Sequence, residues 1–239
     1  NISTINVPDN RLYELEKFQP TERIVHTTVE IVDIPGLSKT TGKGEGNKFL
    51  ADVRNCDALI HVLRCFDDPS LPHIDGSIDP VRDIETVTFE LQVRDLESVE
   101  KKLQKVEKAA KVGDKEAKKA FEVLSVYKNH LEAFKNASTV PVDEHDKKYV
   151  DDLFLLTTKP VIYVCNVDEK SAVSGNHYSD RVKEFLKDEK TEILIIAGKV
   201  EAEISELESE DDRKAFLADV GLTEPGVNKL IRAAYSLLN

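Results

Sequence analysis

The chain has 239 residues, of which 40 % are apolar, and a formal net charge of −12 at pH 7. This length suffices for a full hydrophobic core, and no apolar run is long enough to cross a bilayer, so we expect no membrane protein. The negative charge argues against general affinity for nucleic acid and against sequence-specific DNA binding, because phosphate contacts need clustered Lys and Arg. Cys56, Cys65 and Cys165 lie in apolar runs without C-x-x-C spacing, which favours buried, reduced thiols in a cytoplasmic protein.

Continuous β-branched runs predict the strands. The first three, expected to be buried and parallel, are "TVEIVD" (28–33), "DALIHVLRCF" (57–66) and "PVIYVCN" (160–166), and the fourth is "EILIIAG" (192–198). Helical patterns lie between and after them, at "NKFLADVRN" (47–55), "HYSDRVKEFLKDE" (177–189) and "PGVNKLIRAAYSLLN" (225–239). This alternation predicts an α/β, doubly wound domain with a mostly parallel sheet.

The alternation stops between residues 84 and 134, where two amphipathic helices are predicted. The first has apolar residues at alternating steps of three and four: Leu96, Val99, Leu103, Val106 and Ala110. The second continues the pattern with Ala117, Ala120 or Phe121, Leu124, Tyr127, Leu131 and Phe134. Gly113 provides a helix stop and Asp114 an N-cap, so we expect an inserted antiparallel coiled-coil hairpin.

An Asp-x-x-Gly motif, formed by Asp33 and Gly36, ends the first predicted strand. In P-loop nucleotidases the Asp of this motif holds magnesium through water, and the Gly amide faces the γ-phosphate. Glycine is required there because a Cβ would keep the backbone away from the phosphate. The motif alone is a weak signal, since strands often end in Asp and turns often contain Gly.

A second motif, "NVDE", begins at Asn166, where the third predicted strand ends. GTPases carry N-x-x-D at this point, and its carboxylate accepts two hydrogen bonds from guanine. Glu169 replaces that Asp here, which weakens the case for guanine. Val167 and the main chain near Gly198, which follows the next strand, would complete a pocket around the base.

These motifs give the chain a resemblance to the Obg-like ATPases of the YchF type over its whole length. The matching segments are "VPDNRL" (7–12), "TTVEIVDIPGL" (27–37), "KGEG" with "NKFL" (43–50), "HVLRCF" (61–66), "IDP" (78–80), "GDKEAK" (113–118), "NVDE", "EAEI" and "EPGVNKLIRAAYSLLN" (224–239). The resemblance implies a cytoplasmic, ATP-preferring nucleotidase with Mg²⁺ and a hairpin that docks on the ribosome. We expect a P-loop-type G domain in residues 1–80 and 155–239 and the coiled-coil insertion in 81–154.

The resemblance also implies the site residues. Asp33 would bind the metal and Gly36 would sense the γ-phosphate, while the base would be held by Asn166, Val167, Glu169 and Gly198. Leu37 stands where Ras-like enzymes carry the Gln that orients water, and an aliphatic side chain cannot hydrogen-bond water. His73 is the candidate for that task, because a His in the matching loop of the family is implicated in hydrolysis.

The chain departs from the family in lacking a phosphate loop of the type G-x-x-x-x-G-K-[ST], which we expect upstream of Asn1. Two other functions therefore stay open: a GTP-specific GTPase, or a non-hydrolysing scaffold that presents the hairpin. Lysines outnumber acidic residues between 101 and 119, and such a basic surface could bind a ribonucleoprotein or be merely a solvated helix face. We expect Glu201 and Glu203 to be solvated on an exposed acidic helix.

Overall fold

The structure, a computed structural model, describes residues 2–34 and 43–238. Its strands are β1 (Ile2–Asn6), β2 (Thr28–Val32), β3 (Leu59–Cys65), β4 (Val161–Val167) and β5 (Glu192–Ile196). Its helices are α1 (Asn10–Phe18), α2 (Lys43–Asn55), α3 (Pro80–Lys111), α4 (Lys115–Glu132), α5 (His177–Phe185), α6 (Gly198–Glu206), α7 (Glu210–Val220) and α8 (Gly226–Leu237). None of these described helices is long and apolar enough to span a membrane.

The chain forms two compact units. The sheet unit comprises Asn1–Ile34, Ala58–Asp83 and Val161–Asn239, and the helical unit comprises Pro35–Asp57 and Ile84–Pro160. Helix α2 therefore belongs to the helical unit, although it lies between two strands of the sheet unit in the sequence. The domain boundaries expected from the sequence stay a prediction.

The sheet unit contains a three-stranded parallel sheet in the order β3-β4-β5. Its register pairs Arg64 with Asn166 and Asn166 with Ile196. One face packs against α8, where the shared core consists of Ile162, Val164, Ile196, Ala233 and Ala234. The structure confirms the predicted α/β fold with a parallel sheet. The β-branched runs predicted these strands correctly because such side chains pack well against neighbouring strands.

Strand β2 differs from the prediction of a buried parallel strand. It pairs antiparallel with β1, from Ile2 opposite Val32 to Asn6 opposite Thr28, and only Val29 of its residues is buried. The β-branched composition of a strand does not encode the direction of its partner. The partner itself, "ISTIN", is half polar and gave no strand signal. Helices α1 and α7 were also absent from the sequence-based prediction.

The predicted hairpin is confirmed as α3 and α4. Gly113 between them has a φ of +99°, and the Asp114 carboxylate accepts a hydrogen bond from the Ala117 N–H at 2.9 Å, as an N-cap does. Phe134 was wrongly assigned to the apolar seam. Helix α4 ends at Glu132, and Phe134 has a φ of +56° and an exposed fraction of 69 %.

The segment that precedes β4 packs against both helices of the hairpin. The buried core joins α3 and α4 to the segment that precedes β4, through Val99, Val123, Leu124, Tyr127, Leu131, Ala137, Val140, Val150 and Leu155. The segment forms short 3₁₀ turns, the last of which spans Leu156–Thr158. The helical unit therefore has a core of its own.

The buried carboxylate of Asp95 fixes this segment to α3. Asp95 is 1 % exposed and accepts hydrogen bonds from the Leu156 N–H at 2.7 Å, the Thr157 N–H at 2.8 Å and the Thr157 hydroxyl at 2.7 Å. Burial raises the pKa of Asp95, while these three bonds act in the opposite direction. The carboxylate therefore satisfies three donors that would otherwise be buried without a partner.

We predict that Asp95→Asn lowers the free energy of unfolding by about 1–3 kcal/mol, because the new amide NH₂ group faces donors instead of accepting from them. Urea unfolding followed by circular dichroism measures this, since the chain has no Trp. The matched control is Glu97→Gln on the exposed face of the same helix, for which we expect a change within about 0.5 kcal/mol. Equal stability of the two variants would contradict the structural role of Asp95.

Glu201 also differs from its prediction. Its carboxylate accepts hydrogen bonds from the Gly226 N–H at 2.7 Å and the Val227 N–H at 3.1 Å, the first backbone donors of α8. Solvation alone therefore does not explain this residue, since a carboxylate at a helix N-terminus satisfies donors that lack an intrahelical partner.

The cysteines agree in part with the prediction. All three are free, Cys65 and Cys165 are buried, and Cys56 is half-buried. Contact with the Cys165 thiol, together with burial, raises the pKa of Cys65, so that thiol is neutral.

Candidate functional site

A cavity of about 370 Å³ lies where β3 and β4 end, next to the start of α6. In open α/β sheets, ligands bind beyond the carboxyl ends of the parallel strands. Its lining includes Phe66 after β3, Asn166 and Val167 at the end of β4, Glu169 in the following turn, and Lys199 on α6. The structure thus brings together three of the residues predicted to hold a base.

Asn166 connects the ends of two strands. Its side-chain Oδ1 accepts a hydrogen bond from the Gly198 N–H at 2.9 Å, which fixes the start of α6 beside β4. A Cβ at Gly198 would lie only 3.1 Å from that oxygen, so glycine is the residue that fits this close approach. Gly198, the fourth predicted base residue, therefore belongs to the same arrangement.

Two acidic residues of the cavity are held by neighbouring protein groups. Asp67 accepts a hydrogen bond from the Tyr178 hydroxyl at 2.8 Å. Asp68 accepts from the Ser70 hydroxyl at 2.6 Å and the Ser70 N–H at 2.9 Å, and these bonds lower the pKa of Asp68. Both carboxylates thus accept hydrogen bonds from protein donors.

The two acidic residues of "NVDE" differ in the hydrogen bonds that they accept from the protein. Asp168 accepts a hydrogen bond from the Ser171 N–H at 3.2 Å and caps the turn that follows β4. The Glu169 carboxylate is exposed and accepts no hydrogen bond from any residue that the structure describes. Among the acidic residues lining the cavity, Glu169 is the one that accepts no hydrogen bond from the described residues, and Lys170 and Lys199 belong to the same lining.

Arg64, which sequence reasoning missed, organises the turn that leaves β3. Its guanidinium donates to the carbonyl oxygens of Leu71 at 2.7 Å, Asp68 at 3.2 Å and Phe66 at 3.2 Å. It also lies over the Phe66 ring, 4.9 Å from the centroid. A charged residue inside the apolar run "HVLRCF" is the signal that could have identified it.

Asn176 is the second missed residue. Its Nδ2 donates to the Cys65 carbonyl oxygen at the end of β3, at 2.7 Å, and its Oδ1 accepts from the N–H groups of Tyr178 and Ser179. One amide thus fixes the start of α5 to the end of β3. The capping-box pattern "NHYS" could have identified the helix start, but not the bond to β3.

His73 does not line the cavity, and both its ring nitrogens are engaged. Nδ1 accepts a hydrogen bond from the Asp75 N–H at 3.1 Å, and Nε2 lies 3.2 Å from an Asp83 carboxylate oxygen. Because Nδ1 is an acceptor, the neutral ring carries its proton on Nε2 and donates it to Asp83. The His73 side chain is only 16 % exposed in this arrangement.

The ligating atoms of His73, Asp75 and Asp83 lie within 4.8 Å of one another, a spacing that raises the question of a metal site. The hydrogen bonds argue against one. A metal ion on Nε2 would require the proton on Nδ1, where it would meet the Asp75 N–H. The cluster therefore fits a hydrogen-bonded ring better than a metal ligand set.

The remaining predicted residues come from the first strand. Asp33 follows β2, is exposed, and does not line the cavity. Its carboxylate oxygens are of the ligand type that Mg²⁺ prefers. Gly36 and Leu37 lie outside the described residues.

Comparisons with known proteins agree on one family. No family model matches the chain. The ribosome-binding ATPase YchF of Bacillus subtilis is 42 % identical over 242 residues, and that of Haemophilus influenzae is 43 % identical over 244 residues. Both alignments cover the whole chain, which spans 66 % of each relative's length, slightly less than two thirds.

A solved structure gives the same result. The Schizosaccharomyces pombe protein described as the YchF GTPase matches with a TM-score of 0.86 at 26 % sequence identity, over the whole chain and 65 % of the yeast chain. The parallel sheet and the long helical hairpin are therefore the fold of these proteins. On the sequence matches and this structural match, the chain belongs to the YchF family of Obg-like ATPases.

Proposed function

We propose that the intact protein binds and hydrolyses ATP with Mg²⁺ and couples this reaction to ribosome binding. The observation that carries the proposal is the available Glu169 carboxylate at a cavity shaped by Asn166 and Gly198. Adenine presents a 6-amino donor, from which the Glu169 carboxylate can accept a hydrogen bond. The names of the bacterial relatives support the same activity and partner.

Discrimination against guanine would follow from the position of the carboxylate. In an N-x-x-D motif, the Asp reaches the N1–H and 2-amino group of guanine together. Glu169 is one methylene longer, and the preceding Asp168 is used as a cap. The competing GTPase function has its own support, since the yeast neighbour is described as a GTPase.

The phosphate side of the site would lie nearer to β2. Asp33 would hold Mg²⁺, whose charge offsets that of the phosphates, and Gly36 would sense the γ-phosphate. Among the described residues, no strand pairs with the outer edge of β3. The backbone groups of this edge could pair with a further strand, such as one that carries a phosphate loop.

Ribosome binding would use the hairpin. Lys101, Lys105, Lys108, Lys115 and Lys118 are exposed and form no ion pair with the residues that the structure describes. Lys102 and Lys119, by contrast, pair with Asp152 and Asp146. The unpaired lysines would supply the charge for phosphate contacts, because their ammonium groups need not leave a protein partner.

For nucleotide choice, we expect the intact protein to bind a non-hydrolysable ATP analogue more tightly than the GTP analogue in isothermal titration. Glu169→Ala should weaken ATP binding by roughly tenfold or more, as expected for a lost hydrogen bond to a charged group. The control Glu208→Ala removes another exposed carboxylate and should leave the affinity unchanged. Tighter binding of GTP would reject the ATPase proposal, and no binding of either nucleotide would favour the scaffold.

For catalysis, we expect His73→Ala to lower the hydrolysis rate by about tenfold or more, with ATP affinity nearly unchanged. Leu37 cannot orient water, and His73 could do so after its bond to Asp83 opens. Single-turnover hydrolysis and ATP titration separate the two effects. His145→Ala, on the exposed surface of the helical unit, is the control. A wild-type rate in the His73 variant would remove this residue from the mechanism.

For ribosome binding, we expect the triple change of Lys105, Lys108 and Lys115 to Glu to weaken co-sedimentation with ribosomes without lowering basal hydrolysis. The attraction is electrostatic, so added salt should weaken wild-type binding in the same direction.

The matched control reverses Lys183, Lys187 and Lys190, which lie on or just after α5 in the sheet unit. It changes the net charge equally, so it separates a local contact from general repulsion. Unchanged ribosome binding by the hairpin variant, or an equal loss in the control, would contradict a docking role for the hairpin.

A further inference from the structure

Helix α2 is held at its C-terminal end by Lys159, which lies just before β4. The Lys159 ammonium donates a hydrogen bond to the Arg54 carbonyl oxygen at 3.0 Å and another to the Cys56 carbonyl oxygen. These carbonyls belong to the last turn of α2 and the residue after its end, where no intrahelical donor is available. A cation at this position also interacts favourably with the helix dipole.

A second contact fixes the same end of α2 to α3. The Arg54 guanidinium donates to the Ser98 hydroxyl oxygen at 3.2 Å, and that hydroxyl donates to the Arg94 carbonyl oxygen of α3 at 3.0 Å. Asp95 lies one turn before Ser98 on α3, and the Arg54 charge opposes the rise in the pKa of Asp95. The end of α2 is therefore bonded to the hairpin at a partly buried position on α3.

The segment that carries Lys159 is attached to the same place. Asp95 binds the N–H groups of Leu156 and Thr157, two to three residues before Lys159. The contacts thus form a closed set: α3 holds the segment through Asp95, the segment holds α2 through Lys159, and α2 holds α3 through Arg54. Displacement of α2 cannot leave α3 unaffected unless one of these contacts breaks.

The sequence position of α2 gives this set a function. The helix begins at Lys43, a few residues after Gly36, which is the proposed γ-phosphate sensor. It nevertheless belongs to the helical unit, together with the hairpin, and not to the sheet unit. We propose that Lys159 is a positioning residue that transmits the nucleotide state from α2 to the α3–α4 hairpin. This inference rests on the proposed function, because it takes the nucleotide to be the signal.

Lys159 does not line the candidate cavity, so it would act through α2. A purely structural cap would stabilise α2 equally with every nucleotide. A contact that transmits the signal would instead determine how much the hairpin differs between the ATP-bound and ADP-bound protein. The quantity to measure is therefore a coupling, the factor by which ATP alters a property of the hairpin.

Hydrogen exchange of the intact protein, with a non-hydrolysable ATP analogue and with ADP, measures this coupling. In the wild type we expect the two nucleotides to give different protection both in α2 and in the hairpin. In Lys159→Met, which keeps the aliphatic stem, the difference should persist in α2 and disappear in the hairpin. Lys159→Arg, which retains donors, should restore part of it, and the exposed Lys135→Met should behave as the wild type.

A second readout is the ratio of ribosome affinities with ATP analogue and with ADP. This ratio should fall toward one in Lys159→Met, while hydrolysis without ribosomes remains unchanged. By reciprocity, the effect of ribosomes on ATP affinity should fall by the same factor. If circular dichroism shows that Lys159→Met does not fold, Ser98→Ala removes the contact to Arg54 and serves instead.

The outcomes separate the inference from the proposed function. A hairpin difference that survives in Lys159→Met, or a wild type that responds only in α2, would overturn the inference and leave ATP binding intact. A wild type that binds neither nucleotide would reject the proposed function itself, and with it the signal that the inference requires.

Discussion

The parallel register of β3, β4 and β5 is the constraint on which the candidate site depends. It aligns Arg64, Asn166 and Ile196 in one row across the sheet, so the three strands end near the same edge. Arg64 then holds the turn after β3, and Asn166 holds the start of α6. A slip of one residue in β4 would move Asn166 to the opposite face of the sheet and separate it from Gly198. The cavity is therefore a consequence of strand pairing, and its polar side chains refine a position that the sheet has already set.

Local patterns explain what the sequence could predict. The strands of the parallel sheet follow from β-branched runs, the hairpin from apolar steps of three and four, and the Asp114 cap from its place after Gly113. Each of these signals involves residues close in sequence, so no knowledge of the fold is required. The proposal that Asn166, Val167 and Glu169 hold a base arose in the same way, since these residues lie at or just after the end of a recognisable strand.

Contacts between segments that are distant in the chain explain what the sequence could not predict. Glu201 binds the start of α8, Asn176 binds the end of β3, and Lys159 binds the end of α2. The sequence specifies that these side chains can donate or accept, but the fold alone specifies which backbone group comes within reach. The same limit applies to β2, whose antiparallel partner depends on how the chain returns through α1. Phe134 shows the reverse case, where an apolar periodicity continues after the helix has ended.

The strength of the contacts around α2 sets a limit on what the helical unit can do. Three hydrogen bonds join this end of the helix to Lys159 and Ser98, and each has a charged donor, for which a net contribution of about 1.5–3 kcal/mol is typical. Only the difference in these bonds between two nucleotide states, and not their sum, can shift the hairpin. The coupling of about 1–3 kcal/mol that connects sites in allosteric proteins corresponds to the loss of one such bond in one nucleotide state. Moving a two-state equilibrium from 1:99 to 99:1 requires about 5.5 kcal/mol, which the loss of one bond does not supply. A change in one bond would therefore bias the hairpin without switching it fully, and a partner that binds the biased form would have to provide the remaining free energy.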